Sequence, residues 1–306
     1  MENVIITGGT GQIGTALISL LVSNGYQVTV LTRSLQNKRE TPQVKYAGWD
    51  VANGTIDVQA VLQADHIIHL VGAGVVDKKW TASYKKEIID SRTKSIELII
   101  DTLKNNKGKV KTIVSASATG WYGADKTSGD AFEEDEPAAS DFLGNTCQLW
   151  EQSSEPAKAL GIRVCKLRSG MVLFKSGGAL AEFKKPLRWG IASILGSGKQ
   201  VMSWIHIDDL CRIYLACIKN TQMQGSYNAV ANEPVSNAAF ILKLAETLRG
   251  KRFIPIYVPA FILKIMMGDR SIEVLKSVTV DNEKLKATGF TFLYPTVETA
   301  LNNLLK

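Results

Sequence analysis

The sequence predicts an α/β protein built on a Rossmann-type, doubly wound parallel sheet, with a small C-terminal α/β lobe. Two observations support this prediction. Short apolar runs alternate with amphipathic helical stretches over roughly the first half of the chain, and a glycine-rich turn stands between the first run and the first helix. Strands that alternate with helices form parallel sheets that are covered on both faces.

The predicted elements follow one another at the spacing of βαβ units. Strands are expected at residues 3–7, 28–31, 44–47, 66–71, 110–116, 162–167 and 201–207, and helices at residues 13–22, 84–103, 142–160 and 208–219. The first strand, the glycine turn, the first helix and the second strand fit within about thirty residues, as one βαβ unit requires.

The regular alternation loosens after about Gly170, where glycine and proline interrupt the pattern. We therefore assign residues 1–170 to a Rossmann domain, and we expect parts of residues 201–230 to return to it. Residues 171–306 are assigned to a smaller lobe on the substrate side.

Composition and charge narrow the class of protein. The chain of 306 residues is 45% apolar and 21% charged, which is typical of a soluble globular protein. Its formal charge of +7 comes from scattered basic residues. Since no long run of like charges is present, a nucleic-acid-binding arm is not expected. The positive charge would instead attract an anionic cofactor or small-molecule substrate.

No targeting or membrane-spanning segment is expected, because the chain enters an apolar strand at once and no apolar run approaches the length of a membrane span. The four cysteines form no C-x-x-C pair and have apolar neighbours, which indicates buried free thiols. The three histidines lack the spacing of metal ligands. We expect a cytoplasmic protein without a metal site, and the sequence leaves a homo-oligomer open.

The glycine-rich segment after the first strand has the pattern G-x-x-G-x-x-G. Gly8 permits the tight turn, Gly11 lets a pyrophosphate approach the backbone, and Gly14 allows the helix to pack closely on the strand. The start of the helix then offers free N–H groups to phosphate. We assign the phosphate-binding loop to Gly8, Thr10, Gly11, Gln12, Ile13 and Gly14.

The end of the second strand distinguishes NADP from NAD. An NAD site usually has an acidic residue there, which accepts hydrogen bonds from the ribose hydroxyls. This chain has Thr32 and Arg33, and no acidic residue before Glu40. Arg33 can pair with a 2′-phosphate, so the sequence favours NADP as the cofactor. The alternative is an ordinary solvated arginine.

Several motifs together resemble those of the extended short-chain dehydrogenase/reductases, specifically the SDR39U-type, sugar-nucleotide epimerase-like branch. They are the glycine pattern at residues 8–14, DKKWT at 77–81, SR at 91–92, SATGWYG at 117–123, RSG at 168–170 and WIHIDD at 204–209. The resemblance covers nearly the whole chain.

The resemblance implies further cofactor residues. Leu70, Val71 and Gly72 would line the ribose and pyrophosphate, and Asp50 would lie near the adenine. Glu87 and Arg92, on the long helix, would lie near the cofactor. From the residues alone, the last two are equally typical of a solvated helix face.

The sequence departs from the family at the catalytic pair. The enzymes that the chain resembles normally carry a Tyr-x-x-x-Lys pair on the helix after the fifth strand. The tyrosine of this pair takes a proton during hydride transfer. In this chain Phe142 or Leu143 stands at the tyrosine position, and Thr146 or Cys147 stands at the lysine position. A thiolate in such apolar surroundings is disfavoured.

Substitutes for the missing pair follow the fifth strand. Ser117, Thr119 and Tyr122 are the candidate catalytic residues, with Tyr122 as a proton donor to a carbonyl. Tyr122 could instead be a packed aromatic residue. Arg168 could meet either an anionic substrate or a buried carboxylate, and His206 is more typical of a structural residue.

We therefore expect an NADP(H)-dependent oxidoreductase or epimerase-like enzyme that acts on a small carbonyl or nucleotide-sugar substrate. The alternatives are a non-catalytic NADP(H)-binding sensor or regulatory protein, which the missing catalytic pair favours, and a nucleotide-sugar binder without redox chemistry.

Overall fold

A computed structural model describes residues 1–306. The strands, in chain order, are β1 (Asn3–Thr7), β2 (Gln27–Thr32), β3 (Val44–Asp50), β4 (Thr55–Ile56), β5 (His66–His69), β6 (Thr112–Ala118), β7 (Arg163–Ser169), β8 (Met171–Leu173), β9 (Ile191–Leu195), β10 (Val201–Met202), β11 (Trp204–His206), β12 (Gly225–Ala229), β13 (Val235–Ser236) and β14 (Ile254–Val258).

The α-helices, in chain order, are α1 (Gln12–Ser23), α2 (Val58–Leu62), α3 (Ala82–Asn105), α4 (Phe142–Ser154), α5 (Gly178–Leu187), α6 (Ile207–Lys219), α7 (Asn237–Arg249), α8 (Ala260–Met267), α9 (Ile272–Leu275), α10 (Glu283–Lys286) and α11 (Val297–Leu305). Three short 3₁₀-helices lie at Thr119–Tyr122, Glu155–Leu160 and Gly268–Ser271.

One eight-stranded sheet has the order β12-β7-β6-β5-β1-β2-β3-β4. Its pairings are parallel, except that β4 runs antiparallel to β3. The chain builds outward from β1 in one direction through β2 and β3, and then in the other direction from β5. This is the predicted doubly wound sheet, and the order reverses between β1 and β5.

Alternating side chains of the buried strands explain why both faces carry helices. Val4 and Ile6 pack on one face with Leu17 and Leu21 of α1, whereas Ile5 packs on the other face with Ile96 of α3. A strand that is buried on both faces reads as a continuous apolar run, as β1 does in the sequence.

The second lobe contains three two-stranded sheets, β10 with β13, β11 with β8, and β14 with β9. The strand predicted at residues 201–207 is therefore wrong as one element, since it is two short strands in different sheets. They separate at Ser203, whose hydroxyl donates to the Val278 carbonyl at 2.8 Å and accepts from the Val280 amide at 3.1 Å. Farther along, β12 forms the outer strand of the main sheet.

One predicted helix boundary differs from the structure for a local reason. The helix predicted at 142–160 ends as α4 at Ser154 and continues as a 3₁₀-helix with Pro156 in its first turn. Proline has no amide hydrogen and clashes with the preceding turn, so the α-helix cannot continue through it.

The cysteines are free and buried as predicted. No helix has both the length and the apolar character needed to cross a bilayer.

Candidate functional site

A groove crosses the carboxyl ends of the central strands, where the strand order reverses. Doubly wound sheets bind their ligands at this position. The groove has a volume of about 440 Å³. Seven of the predicted cofactor residues line it, namely Gly8, Thr10, Thr32, Arg33, Val71, Gly72 and Glu87.

The glycine turn has the backbone geometry that the sequence pattern requires. Gly8 has a φ of +69°, a conformation that L side chains rarely adopt. A Cβ on Gly14 would lie 2.5 Å from the Gly9 Cα, so the helix can pack this closely on the turn only if residue 14 is glycine. A Cβ on Gly11 would meet only the Gly8 carbonyl oxygen, at 3.3 Å. Gly11 therefore leaves open space above the turn.

The start of α1 is an uncapped helix end. Gly11 provides no side-chain cap, and the first turn contains no acidic residue. The amides of Gln12, Ile13 and Gly14 have no acceptor within the helix, because the first N–H groups of any α-helix lack one. They carry the positive end of the helix dipole, directly after the groove-lining residues Gly8 and Thr10, and such a helix start is a suitable site for a phosphate.

Cations surround the end of β2. Arg33 is exposed, makes no ion pair and lines the groove. Lys38, which also lines the groove, lies 5.7 Å from the centre of the Tyr46 ring. Glu40, the first acidic residue after β2, directs its carboxylate to the Tyr46 amide at 3.1 Å. Neither cation forms an ion pair, although the Asp50 carboxylate at the end of β3 is close enough to interact with the charge of Arg33.

Asp50 ends β3, but its carboxylate is engaged in a local turn. It accepts from the Ala52 amide at 2.9 Å and from the Asn53 side chain at 2.8 Å. The hydrogen bonds from Asn53 hold the pKa of the Asp50 carboxyl below its usual value. Its neighbours Trp49 and Val51 line the groove instead.

The segment after β5 is fixed by hydrogen bonds to the strand beside it. Leu70 and Val71 donate their amides to the Thr7 hydroxyl at 3.1 and 3.3 Å. The strand predicted at 66–71 therefore ends at His69, because the chain turns away from the sheet to form the groove wall.

The next residues of this wall are clamped by α3. Ser91 accepts the Ala73 amide at 2.9 Å, and Arg92 donates to the Ala73 carbonyl at 3.0 Å. Arg92 is buried beneath Gly72, where a Cβ would lie 2.9 Å from its guanidinium carbon. The Ser91–Arg92 motif thus shapes the wall, and Arg92 acts as a positioning residue.

The groove is also lined by residues that the sequence did not assign to the cofactor site, among them Lys38, Trp49 and Ser91. Lys38 had a readable signal, since it is a second cation five residues after Arg33. Glu87 lines the groove and pairs with Lys78 at 3.3 Å, with both side chains about half exposed.

Ser117 and Tyr122 belong to a buried polar network. Arg168 makes a bidentate contact with Glu151, at 2.7 Å from Nε and 3.1 Å from Nη2. The Ser117 hydroxyl donates to Glu151 at 2.7 Å. The Tyr122 hydroxyl donates to Asn228 at 2.6 Å and accepts from Arg168 at 2.9 Å. The open choice for Arg168 is thereby settled in favour of a buried carboxylate.

This network buries Tyr122 and engages its hydroxyl. The side chain is 4% exposed, and burial raises the pKa of its phenol to about 12. Because its one proton is already donated to Asn228, the hydroxyl is a poor proton donor to a carbonyl. Ser117, which is 2% exposed, is committed to Glu151 in the same way.

Of the three candidate catalytic side chains, Thr119 alone keeps a free hydroxyl. It is half-buried, starts the 3₁₀-helix after β6 and makes no hydrogen bond through its side chain. Beside this turn, a Cβ on Gly120 would lie 3.4 Å from the Leu143 Cβ and 3.7 Å from the Cys147 Sγ. Burial raises the pKa of the Cys147 thiol to about 12, so it remains protonated.

Replacing Tyr122 by Phe is expected to lower the free energy of unfolding by about 1–3 kcal/mol, because Asn228 and Arg168 each lose a buried partner. NADPH affinity and any turnover should stay at the parent level. Urea denaturation and steady-state assays measure these effects. Tyr257→Phe, at an exposed ring without a hydrogen bond, is the control. A Tyr122→Phe protein that is as stable as the parent but has lost its turnover would show that this hydroxyl takes part in the reaction.

His206 has the structural position expected of it. Its Nδ1 accepts the Asp208 amide at 3.0 Å, its Nε2 lies 3.1 Å from Asn303, and its ring stacks on Tyr294 at 3.8 Å between centroids. It therefore joins α6 to the C-terminal helix. Histidine, cysteine and acidic residues do not gather in groups of three or more that could hold a metal ion.

Comparisons with known proteins agree with this architecture. The model of the NAD dependent epimerase/dehydratase family matches residues 4–146. A domain of unknown function, DUF1731, matches residues 258–304. An epimerase family protein of Staphylococcus saprophyticus is 34% identical over 307 residues, and the match covers 100% of both chains.

Solved structures show the same relationship. The human epimerase family protein SDR39U1 (isoform 2), crystallised with NADPH, has a TM-score of 0.84 and 28% identity, and the match covers 99% of this chain and 98% of that chain. A nucleoside-diphosphate sugar epimerase from Corynebacterium glutamicum has a TM-score of 0.77 and 30% identity, over 99% of this chain and 58% of that one. The chain therefore belongs to the epimerase family of extended short-chain dehydrogenase/reductases, in its SDR39U-type branch.

Proposed function

We propose that the groove binds NADP(H), and that residues 1–170 form the cofactor-binding domain. The observation that carries this proposal is the pair of cations at the end of β2, Arg33 and Lys38, which line the groove and form no ion pair. A 2′-phosphate fits such a pair, whereas ribose hydroxyls call for a carboxylate acceptor. The uncapped start of α1 would hold the pyrophosphate. The NADPH complex of the human relative supports this proposal.

Replacing Arg33 by Ala is expected to weaken NADPH binding by about 1.5–3 kcal/mol, the usual cost of a lost charged hydrogen bond. NADH binding should barely change, because NADH has no 2′-phosphate. Fluorescence titration with each cofactor measures both. Arg39→Ala is the matched control, since Arg39 is exposed on the same segment but does not line the groove. Equal losses for the two cofactors would contradict the assignment.

The activity that this arrangement supports best is an NADP(H)-dependent oxidoreductase or epimerase reaction on a small carbonyl or nucleotide-sugar substrate. The nicotinamide supplies hydride chemistry when the cofactor is bound. Thr119 would orient a substrate oxygen, because its free hydroxyl stands at the end of β6. The test is NADPH oxidation followed by absorbance across panels of carbonyls and nucleotide sugars.

A specific observation also favours a second candidate, a non-catalytic NADP(H)-binding regulator. Phe142 and Leu143 cannot ionise, and Tyr122 is held in the buried network. Tight NADPH binding without turnover on any panel would select this candidate. Turnover of a single carbonyl at a rate that Thr119→Val reduces would exclude it.

A further inference from the structure

The second lobe exposes apolar side chains on two segments, residues 184–190 and 249–267. Eight of the chain's seventeen exposed large apolar residues belong to these segments, among them Trp189, Ile254, Phe261, Ile265 and Met266. We propose that this surface, which we term the apolar face, docks on a membrane surface that contains anionic lipid. The inference goes beyond the proposed function and does not depend on the cofactor.

The helix α8 directs an apolar stripe away from the protein, while Leu263 is its buried residue. Phe261 lies one turn before Ile265, and both are exposed. Ile262 likewise lies one turn before Met266, and both are exposed. Side chains four residues apart share a helix face, so these two pairs form one continuous stripe. The apolar stripe of a surface helix normally faces the core, and α8 therefore lacks a partner for its own.

The ribbon of β9 and β14 adds a second exposed apolar area. In its parallel register Ile254 lies beside Ile191, and Ile256 lies beside Ser193. Successive side chains of a strand point to opposite faces, so these four residues share one face of the ribbon. Ala192, on the opposite face, is buried in the core. The face that carries the three isoleucines is therefore the outer one.

The two segments are held together at the start of this ribbon. Arg249 donates to the Arg188 carbonyl at 3.3 Å, and the Ile254 amide donates to the Gly190 carbonyl at 2.8 Å. Trp189 stands between these contacts with 85% of its surface exposed. Tryptophan is enriched where a protein meets the membrane–water interface, because its ring is apolar and its N–H is polar.

The charge of the two segments is one-sided. They contain seven basic residues and no acidic one. Of the carboxylates beside them, Glu182 pairs with Lys185 at 2.6 Å, Glu246 lies 3.6 Å from Lys243, and Asp269 follows α8. Setting Glu182 and Asp269 against two of the seven leaves five cations without an ion pair, including Lys251 and Arg252 at the start of the ribbon. Anionic lipid headgroups attract such cations, and the acyl boundary accepts the apolar side chains.

Two other occupants fit this surface less well. A second copy in a two-fold contact would place the face against itself, so its cations would meet like charges. A peptide strand would have to pair with the open edge of β14. The Ile254 amide and the Val258 carbonyl bond toward β9, so Pro255 and Tyr257 direct their backbone groups to that edge. Proline has no amide to donate there.

Flotation with vesicles of phosphatidylcholine, alone or mixed with phosphatidylglycerol, tests the docking. We expect binding to the anionic vesicles to be tighter by about tenfold or more, and added salt to weaken it. Ile265→Asp and Trp189→Ala should each weaken it by about 5- to 30-fold, because each removes apolar area that lipid covers. Lys251→Gln combined with Arg252→Gln should weaken it by about 10- to 30-fold.

Leu160→Asp is the matched control, because Leu160 is exposed but lies outside the two segments, and it should bind vesicles like the parent. All variants should keep the circular dichroism and the NADPH affinity of the parent, since the changed side chains are exposed and do not line the groove. Failure of the parent to bind anionic vesicles, or unchanged binding by Ile265→Asp, would overturn the proposal.

Two further results would assign the apolar face to another occupant and would also overturn the proposal. The first is a dimer of the parent, detected by analytical ultracentrifugation, that Ile265→Asp dissociates, which indicates a second copy. The second is salt-sensitive binding to polyglutamate without binding to vesicles, which indicates an acidic protein.

Discussion

Gly11→Val is expected to abolish NADPH binding while the protein stays folded. Gly11 has φ −79° and ψ 174°, a backbone conformation that valine adopts readily. Its Cβ would meet only the Gly8 carbonyl oxygen, at 3.3 Å, so the branched side chain projects into the space where a pyrophosphate approaches α1. Losing the hydrogen bonds of that anion predicts a loss of about 100-fold or more in affinity.

Fluorescence titration with NADPH, together with circular dichroism, checks this result. Gly14→Val is the contrasting variant, because its Cβ would lie 2.5 Å from the Gly9 Cα and the Gly8 carbonyl oxygen. It should lose the fold and not only the cofactor. If the Gly11→Val protein binds NADPH like the parent, the glycine turn is not part of the cofactor site.

Glu151→Ala is expected to lower the free energy of unfolding by about 3–5 kcal/mol, because it leaves the Arg168 guanidinium buried without its carboxylate. The pair is bidentate, and Arg168 is 2% exposed. The same carboxylate also accepts hydrogen bonds from Ser117 and Ser226. The change therefore strips partners from β6, β7 and β12 at once.

Urea denaturation measures this loss, and Glu155→Ala is the matched control. Glu155 pairs with Lys158 and Lys166 at 2.5 Å, but its side chain is 36% exposed, so its removal should cost at most about 1 kcal/mol. Equal losses in the two variants would show that the buried network does not hold the three strands together.

The parallel sheet was predictable because its signals are local. An apolar run such as that of β1, followed by the glycine turn and the spacing of α1, specifies one βαβ unit. The cofactor groove followed from the same signals, since the carboxyl ends of parallel strands meet at one edge. Of the two cations at the end of the groove, Arg33 was predicted from the sequence. Lys38 was not, because it lies in an irregular segment after β2.

The second lobe and the buried network could not be read in the same way. The strands β10, β11 and β13 are two or three residues long, and they pair with segments far away in the chain. Tyr122 lies 106 residues from Asn228 and 46 residues from Arg168. No local pattern in the sequence indicates that this hydroxyl is hydrogen-bonded within the fold, so the sequence alone offers Tyr122 as a candidate proton donor.

Titration of the parent protein with NADPH and with NADH, followed by cofactor fluorescence, tests the central claim most directly. The groove has two cations without ion pairs at the end of β2, and the nearby Asp50 carboxylate is engaged in its own turn. We therefore expect saturable NADPH binding that is tighter than NADH binding by about tenfold or more. Failure to bind either cofactor, or equal or tighter binding of NADH, would contradict it.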